Sequence, residues 1–194
     1  MDESCLRLFI ALTLPDDIRA TLEKVLSASA SMPDKVKWVE PNNLHLTLKF
    51  LGNVPKFAVN KICSVIDVVI SSRKKFVYEL QGLGCFPNLA RPRVLFAGAS
   101  QGMEQLKSIA QDFEDQLVAL GFEKENRDFK PHITLGRFKH GHGKTSVSNQ
   151  LLTFIGNNKS TYFGSFTVSN ITLVQSILKA DGPLYTPLYT QHLK

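Results

Sequence analysis

The phrases His45-Leu46-Thr47-Leu48 and His132-Ile133-Thr134-Leu135 write one pattern twice, 87 positions apart, and they take two of the chain's five histidines. Imidazole has an ordinary pKa of about 6.5, so near neutral pH it can accept a proton or donate one. Two such groups flanking a phosphodiester make an acid–base pair, one deprotonating water and the other protonating the leaving oxygen. Hydroxyls from Thr47 and Thr134 can donate hydrogen bonds to the non-bridging oxygens as charge builds in the pentacoordinate state. A single histidine on a strand is ordinarily a surface or structural residue, and threonine is common β-branched strand filler. Repetition of the whole phrase in one kind of setting favours a functional pair. His45 and His132 are then the catalytic candidates, and Thr47 and Thr134 the substrate-binding ones.

Both phrases sit in runs that alternate polar and apolar residues, 43–51 and 130–138, which is how a half-buried strand reads. Side chains at i and i+2 of a strand share a face. His45 and Thr47 should therefore emerge together while Leu44, Leu46 and Leu48 enter a core, and His132 and Thr134 should do the same above Ile133 and Leu135. Around them the pattern predicts a strand over 5–14 and a helix opened by Pro15-Asp16-Asp17 and running to about Ser29. It then predicts a short strand over 36–39, a turn at Pro41-Asn42-Asn43, and a motif strand over 44–51 ended by Gly52-Asn53. A helix over 55–71 and strands over 76–85 and 93–99 come next. Met103 to Leu120 reads as an amphipathic helix closed by Gly121, and residues 129–138 as the second motif strand. A weaker helix near 148–155, one or two strands over 163–178 with a kink at Ser169-Asn170, and an Asp181-Gly182 hairpin into 184–189 complete the chain. Strands and helices mix without a strict βαβα rhythm. The expected fold class is α+β: two pseudo-symmetric lobes of mostly antiparallel sheet, with outer helices, around a central cleft. Residues 1–194 are read as a single bilobal domain.

Other candidates are weaker. Arg137 follows the second phrase; strict alternation turns it away from His132, but a bulge at Gly136 would re-aim its guanidinium toward a phosphate. Phe9 and Trp38 are candidates to stack on a base, against the plainer reading of core residues. Lys49, Arg91 and Arg93 could make an electropositive rim. Gly143-Lys144-Thr145 lacks the earlier glycine of a phosphate-binding loop, since that position is Phe138. His140 and His142 lack a third spaced ligand and read as a polar loop rather than a metal site.

The bulk numbers fit these readings. With 23 Lys and Arg against 17 Asp and Glu, the formal charge is +6, which favours an anionic partner such as nucleic acid or a phosphorylated metabolite. Cys5, Cys63 and Cys85 are odd in number and lack CxxC spacing, which argues against a disulfide framework or structural zinc and for reduced thiols in a cytoplasmic protein. No apolar run approaches the roughly 18 residues of a spanning helix, and residues 2–17 do not read as a signal peptide.

Paired His-x-Thr-x phrases of this kind resemble the signature of the 2H phosphoesterase superfamily. Further segments agree in order: Arg7-Leu8-Phe9-Ile10-Ala11-Leu12, then Trp38-Val39-x-Pro41-x-Asn43-Leu44 leading into the first phrase and on to Lys49-Phe50-Leu51-Gly52. Arg91-Pro92-Arg93-Val94-Leu95, Lys130-Pro131 before the second phrase with Gly136-Arg137 after it, and Asp181-Gly182-Pro183-x-Tyr185 follow. Over nearly the whole length this is similar to the RNA 2′,3′-cyclic phosphodiesterase branch, also called 2′-5′ RNA ligase. One departure is Phe96, where many relatives carry a larger aromatic. The resemblance implies metal-independent hydrolysis without a cofactor, on RNA ends or nucleotides carrying a 2′,3′-cyclic phosphate, to give a 2′-phosphate. It implies that His45 protonates the leaving 3′ oxygen while His132 activates water. The two phrases are nearly symmetric, so the residues alone do not orient the pair. Run backwards, the same site would join a cyclic end to a 5′-hydroxyl. A monomer with no membrane association is expected.

Two other readings stay open from sequence. One is an RNA-binding module of the same fold without turnover, against which the intact histidines and threonines count. The other is a related hydrolase acting on 2′-5′ oligoadenylates or on cyclic phosphates of ADP-ribose.

Overall fold

The structure, a computed structural model, describes residues 4–139, 147–180 and 182–194. The elements begin with β1 (Cys5–Thr13), α1 (Asp16–Ala30), β2 (Val36–Trp38), β3 (His45–Pro55), α2 (Val59–Ile70), β4 (Phe76–Phe86) and β5 (Val94–Gln101). They continue with α3 (Met103–Leu117), β6 (Ile133–Phe138), α4 (Asn149–Asn157), β7 (Tyr162–Val168), β8 (Asn170–Lys179) and β9 (Gly182–His192). Among the described residues the strands form two sheets, ordered β3-β1-β8-β9 and β2-β6-β5-β4-β7. The pairings are antiparallel, and the fold is α+β with two lobes and outer helices, as the sequence implied.

The two sheets repeat one plan. Each motif strand pairs with the strand that precedes a long helix, β3 with β1 and β6 with β5. The lobes are not the two halves of the chain, however. The first sheet takes its last two strands from residues 170–192, and β2 crosses over to pair with β6. The break at Ser169 is where the chain passes from one sheet to the other. The helices are exchanged as well. α1 leaves β1 but packs on β7 and β2 of the second sheet, while α2 and α3 pack together and cover strands of the first. Gly164 of β7, at φ +122°, makes room for α1: a Cβ there would stand 2.6 Å from Cδ1 of Ile18.

Apolar spacing explains the helices. Ile18, Leu22 and Leu26 of α1, Ile62, Ile66 and Val69 of α2, and Leu106, Ile109, Phe113 and Leu117 of α3 each line one buried face. α3 tightens into a single 3₁₀ turn at Val118–Leu120 before Gly121, whose positive φ ends it. The apolar faces meet in one continuous core that includes Leu12, Leu46, Leu95 and Ile133 from both sheets. Leu46 and Ile133, which separate His from Thr in the two phrases, are fully buried. Each burial is worth about 1.5–3 kcal/mol, and a one-residue slip would trade it for a buried imidazole.

Several boundaries differ from the sequence reading. β3 runs on to Pro55, because Gly52 at φ +70° accommodates an irregularity at Leu51 and bends the strand instead of ending it. β6 begins at Ile133 rather than 129, since Pro131 has no amide hydrogen to offer a ladder. The expected helix over 55–71 is a 3₁₀ turn at Lys56–Ala58 followed by α2. The loop with His140, His142 and Gly143-Lys144-Thr145, and Asp181 of the hairpin turn, lie outside the described residues.

Lys49 is corrected too. The ladder skips Leu48, so Lys49 turns away from Thr47 to the helix side of β3. It is buried there, with Nζ 2.6 Å from Glu114 Oε2 of α3 and 2.8 Å from the Glu123 carbonyl. It locks α3 to the sheet and is no part of a cleft rim. Lys49→Ala leaves the Glu114 carboxylate partly buried without its cation, and should cost about 3–5 kcal/mol. Urea denaturation reads this loss, and the double variant Lys49→Met/Glu114→Leu should recover most of it; a neutral single variant would show that the pair does not secure α3.

Candidate active site

His45 and Thr47 leave the first sheet on the face opposite the main core. The same face carries a small separate cluster of Phe9, Ala11 and Val174 with Tyr185 packed against it. The His45 ring lies on Phe9 at 4.9 Å between centroids and meets Tyr185 edge-on at 5.1 Å. Its Nδ1 stands 2.7 Å from the Asn43 carbonyl oxygen and its Nε2 3.0 Å from Thr47 Oγ1. A carbonyl only accepts, so Nδ1 carries the hydrogen, and in the neutral ring Nε2 is left to accept from the Thr47 hydroxyl. The Asn43 side chain donates to the Pro183 carbonyl at 2.9 Å, tying the start of the motif to β9 just before Tyr185.

His132 is built by the same rule. Its Nδ1 lies 2.7 Å from the Lys130 carbonyl oxygen, again two residues upstream. Phe86 and Phe96 meet it edge-on at 4.9 and 5.6 Å, and the two phenyl rings stack on one another at 4.2 Å. Phe96 pairs with Thr134 across the ladder, and its ring lies over Gly84, where a Cβ would come within 2.6 Å of Cζ. Each imidazole thus rests against two aromatic rings of its own lobe.

β3 and β6 meet between the lobes, and the two imidazoles are close enough for the charge of His132 to act on His45. Burial holds both rings below their ordinary pKa. The carbonyl bond at Nδ1 opposes that effect in each, while the Arg137 guanidinium adds to it in both. Arg137 therefore lies near both histidines. The β5–β6 ladder skips Leu135, and this one-residue bulge returns Arg137 to the side of Thr134. The extra residue is Leu135 rather than Gly136, yet Gly136 is needed beside it. A Cβ at Gly136 would lie 2.5 Å from Cγ1 of Val36 and 2.9 Å from Cε3 of Trp38, which close over it from β2.

The structure thus brings His45, Thr47, His132, Thr134 and Arg137 to one cleft. Phe9 is at its floor, only 4% exposed and flanked by the rings of His45, Phe50 and Tyr185, so it props the imidazole instead of offering a face to a base. Trp38 packs against the core beside Gly136. Arg91 and Arg93 are exposed near the β4–β5 connection. Tyr185 and Phe86 are not among the sequence candidates, although the Pro183-x-Tyr185 ending is conspicuous there; Phe96, the departure that bears on the shape of the cleft, lies against His132. Among the described residues, no group of three or more His, Cys, Asp or Glu side chains is arranged to hold a metal ion.

Known proteins are similar to this chain over most of its length. The family model described as LigT like Phosphoesterase matches residues 12–96 and 98–185. An RNA 2′,3′-cyclic phosphodiesterase of Methanothermobacter thermautotrophicus is 32% identical over 182 residues, covering 94% of this chain and 96% of that one. One from Aeropyrum pernix is 38% identical over 154 residues, covering 79% and 84%. The crystal structure of E. coli LigT complexed with 3′-AMP superposes with a TM-score of 0.76 at 29% identity, covering 97% of this chain and 98% of that chain. The chain belongs to the LigT-like phosphoesterases of the 2H superfamily, in the RNA 2′,3′-cyclic phosphodiesterase family.

Burial and Arg137 both push the imidazoles down, so removing Arg137 should move both titrations the other way. In wild-type protein His45 and His132 should titrate below 6.5. In Arg137→Ala both midpoints should rise, as followed by the ring-proton shifts in an NMR pH titration. Midpoints that stay put in the variant would separate Arg137 from the pair.

Proposed function

We propose that this protein hydrolyses 2′,3′-cyclic phosphodiesters at the ends of RNA or nucleotides and leaves a 2′-phosphate. The observation that carries the reading is the matched pair of imidazoles. Each has Nδ1 committed to a carbonyl two residues upstream, each leaves Nε2 for chemistry, and both lie within the field of Arg137. The relatives named as RNA 2′,3′-cyclic phosphodiesterases and the nucleotide complex of E. coli LigT support the substrate class.

In the proposed reaction, His132 Nε2 takes a proton from water as the water oxygen attacks phosphorus. The bond from phosphorus to the 3′ oxygen breaks, and that oxygen takes the proton from Nε2 of His45. Arg137, Thr47 and Thr134 bind the non-bridging oxygens, where charge accumulates. In the unliganded site the Thr47 hydroxyl is engaged with His45 Nε2, so an arriving phosphate oxygen takes over this hydroxyl and frees the imidazole. The anion also favours the charged form of a neighbouring histidine, which counteracts the burial that otherwise keeps His45 neutral. The scheme uses no metal ion. With a 5′-hydroxyl in place of water as the nucleophile, the same step breaks the bond to the 3′ oxygen and forms a 2′-5′ linkage.

Cleavage of a cyclic nucleotide, followed by phosphorus NMR, tests the reading. The expected product is the 2′-phosphate, formed equally well with chelator present. His45→Ala and His132→Ala should each lower kcat by about 10²–10⁴. A 3′-phosphate product would exchange the two proton roles. Undiminished turnover in either histidine variant, or tight binding of the cyclic end with no product, would remove the mechanism.

A further inference from the structure

The two motifs are alike through their fourth residue and then diverge. In each, the ladder skips that fourth residue, Leu48 in one and Leu135 in the other, so the fifth position after each histidine returns to the cleft side. In the second lobe that position is Arg137, which acts on both imidazoles. In the first it is Phe50, paired across the ladder with Phe9. Phe9 is 4.9 Å from the His45 ring and Phe50 is 6.2 Å beyond Phe9. A row of rings thus leads outward from His45 and ends on one that is 65% exposed.

Phe50 lines a groove of about 570 Å³ between the far end of β3 and the turn after α3, within the roughly 300–1,000 Å³ typical of ligand clefts. Phe57, 80% exposed, lies along it, with Asn53, Leu120, Phe122 and Glu123, and with Lys49 engaged by Glu114 at its base. Arg7 is exposed opposite Asn53 in the ladder, on the side of the sheet that carries Phe9, and its charge reaches Tyr185. Lys56 precedes Phe57. Exposed rings along a groove, a ring row that runs back from Phe50 through Phe9 to His45, and the exposed cations Arg7 and Lys56 on neighbouring residues match what unpaired nucleotides require: faces for bases and positive charge for the backbone.

We propose that this groove binds the single-stranded RNA immediately 5′ of the cyclic-phosphate nucleotide, with Phe50 and Phe57 as stacking platforms for its bases. The protein then prefers an oligonucleotide end to a free cyclic mononucleotide. This rests on the function proposed above.

The test compares kcat/KM on a trinucleotide ending in a 2′,3′-cyclic phosphate with kcat/KM on a cyclic mononucleotide. It runs in parallel with fluorescence anisotropy of a 5′-labelled trinucleotide ending in a 2′-phosphate. Wild type should favour the trinucleotide, and Phe50→Ala and Phe57→Ala should each shrink that preference about tenfold. Phe50→Tyr, which keeps a ring, should retain it, and so should Val68→Ala, an exposed apolar residue of α2 remote from the groove. A preference unchanged in both alanine variants would overturn the groove while leaving the proposed hydrolysis intact. If wild type cleaves neither substrate, the proposed function fails and anisotropy decides the groove: weaker binding in the alanine variants upholds it as an RNA surface, and equal binding removes it.

Discussion

A carbonyl oxygen has no proton to give, and this restriction fixes the state of both imidazoles. The backbone leading into each motif strand brings the carbonyl of residue i−2 under the histidine ring. Nδ1 must then hold its hydrogen in neutral and charged forms alike, and proton traffic is confined to Nε2, the atom that looks into the cleft. No distant side chain is required for this orientation. The backbone of the motif supplies it, which explains why a four-residue phrase serves twice in one chain without a carboxylate behind either ring.

Around that shared rule the two lobes specialise. Each imidazole is braced by two aromatic rings, Phe9 and Tyr185 for one and Phe86 and Phe96 for the other, so each is desolvated and inclined to be neutral. The twin bulges bring the next outward position back toward the cleft, and the lobes differ in what they place there: a guanidinium at Arg137 and a phenyl ring at Phe50. A cleft built by near-duplication is thereby made directional, with charge on one wall and apolar faces on the other. A cyclic phosphate and its attached strand have the same polarity.

The features legible in sequence were those expressed locally. His45 and Thr47 emerged together because a period of two is a property of one strand, and Leu46 and Ile133 were buried for the same reason. The α+β class followed from strand and helix patterns that mix without a strict βαβα rhythm. Features that depended on a partner strand were hidden. Nothing in the run around Leu48 announces that it is skipped, and that single omission sends Lys49 to Glu114 and Phe50 to the cleft. Arg137 depended on a bulge next to a glycine, and the glycine was the only visible sign. Tyr185 reaches His45 through β9, whose Pro183 carbonyl accepts from Asn43 across 140 residues of chain. Periodicity does not reach so far. Sequence leaves Phe9 between a base platform and a core residue, because its register beneath His45 exists only once β1 and β3 are paired.

β8 lies between β1 and β9 in the first sheet, and this order has a bearing on biosynthesis. During translation, residues 170–192 leave the ribosome long after β1 and β3 have had time to form their hairpin-like pair. Throughout that interval β1 presents a bare edge, the kind of surface that recruits foreign strands. The lobe holding His132 draws all its strands from residues 36–168 and can close first. The His45 lobe must wait for the late-emerging hairpin and for Tyr185. The order of emergence thus ties two events to one late hairpin: β8 covers the edge of β1, and β9, which follows it, brings Tyr185 against His45.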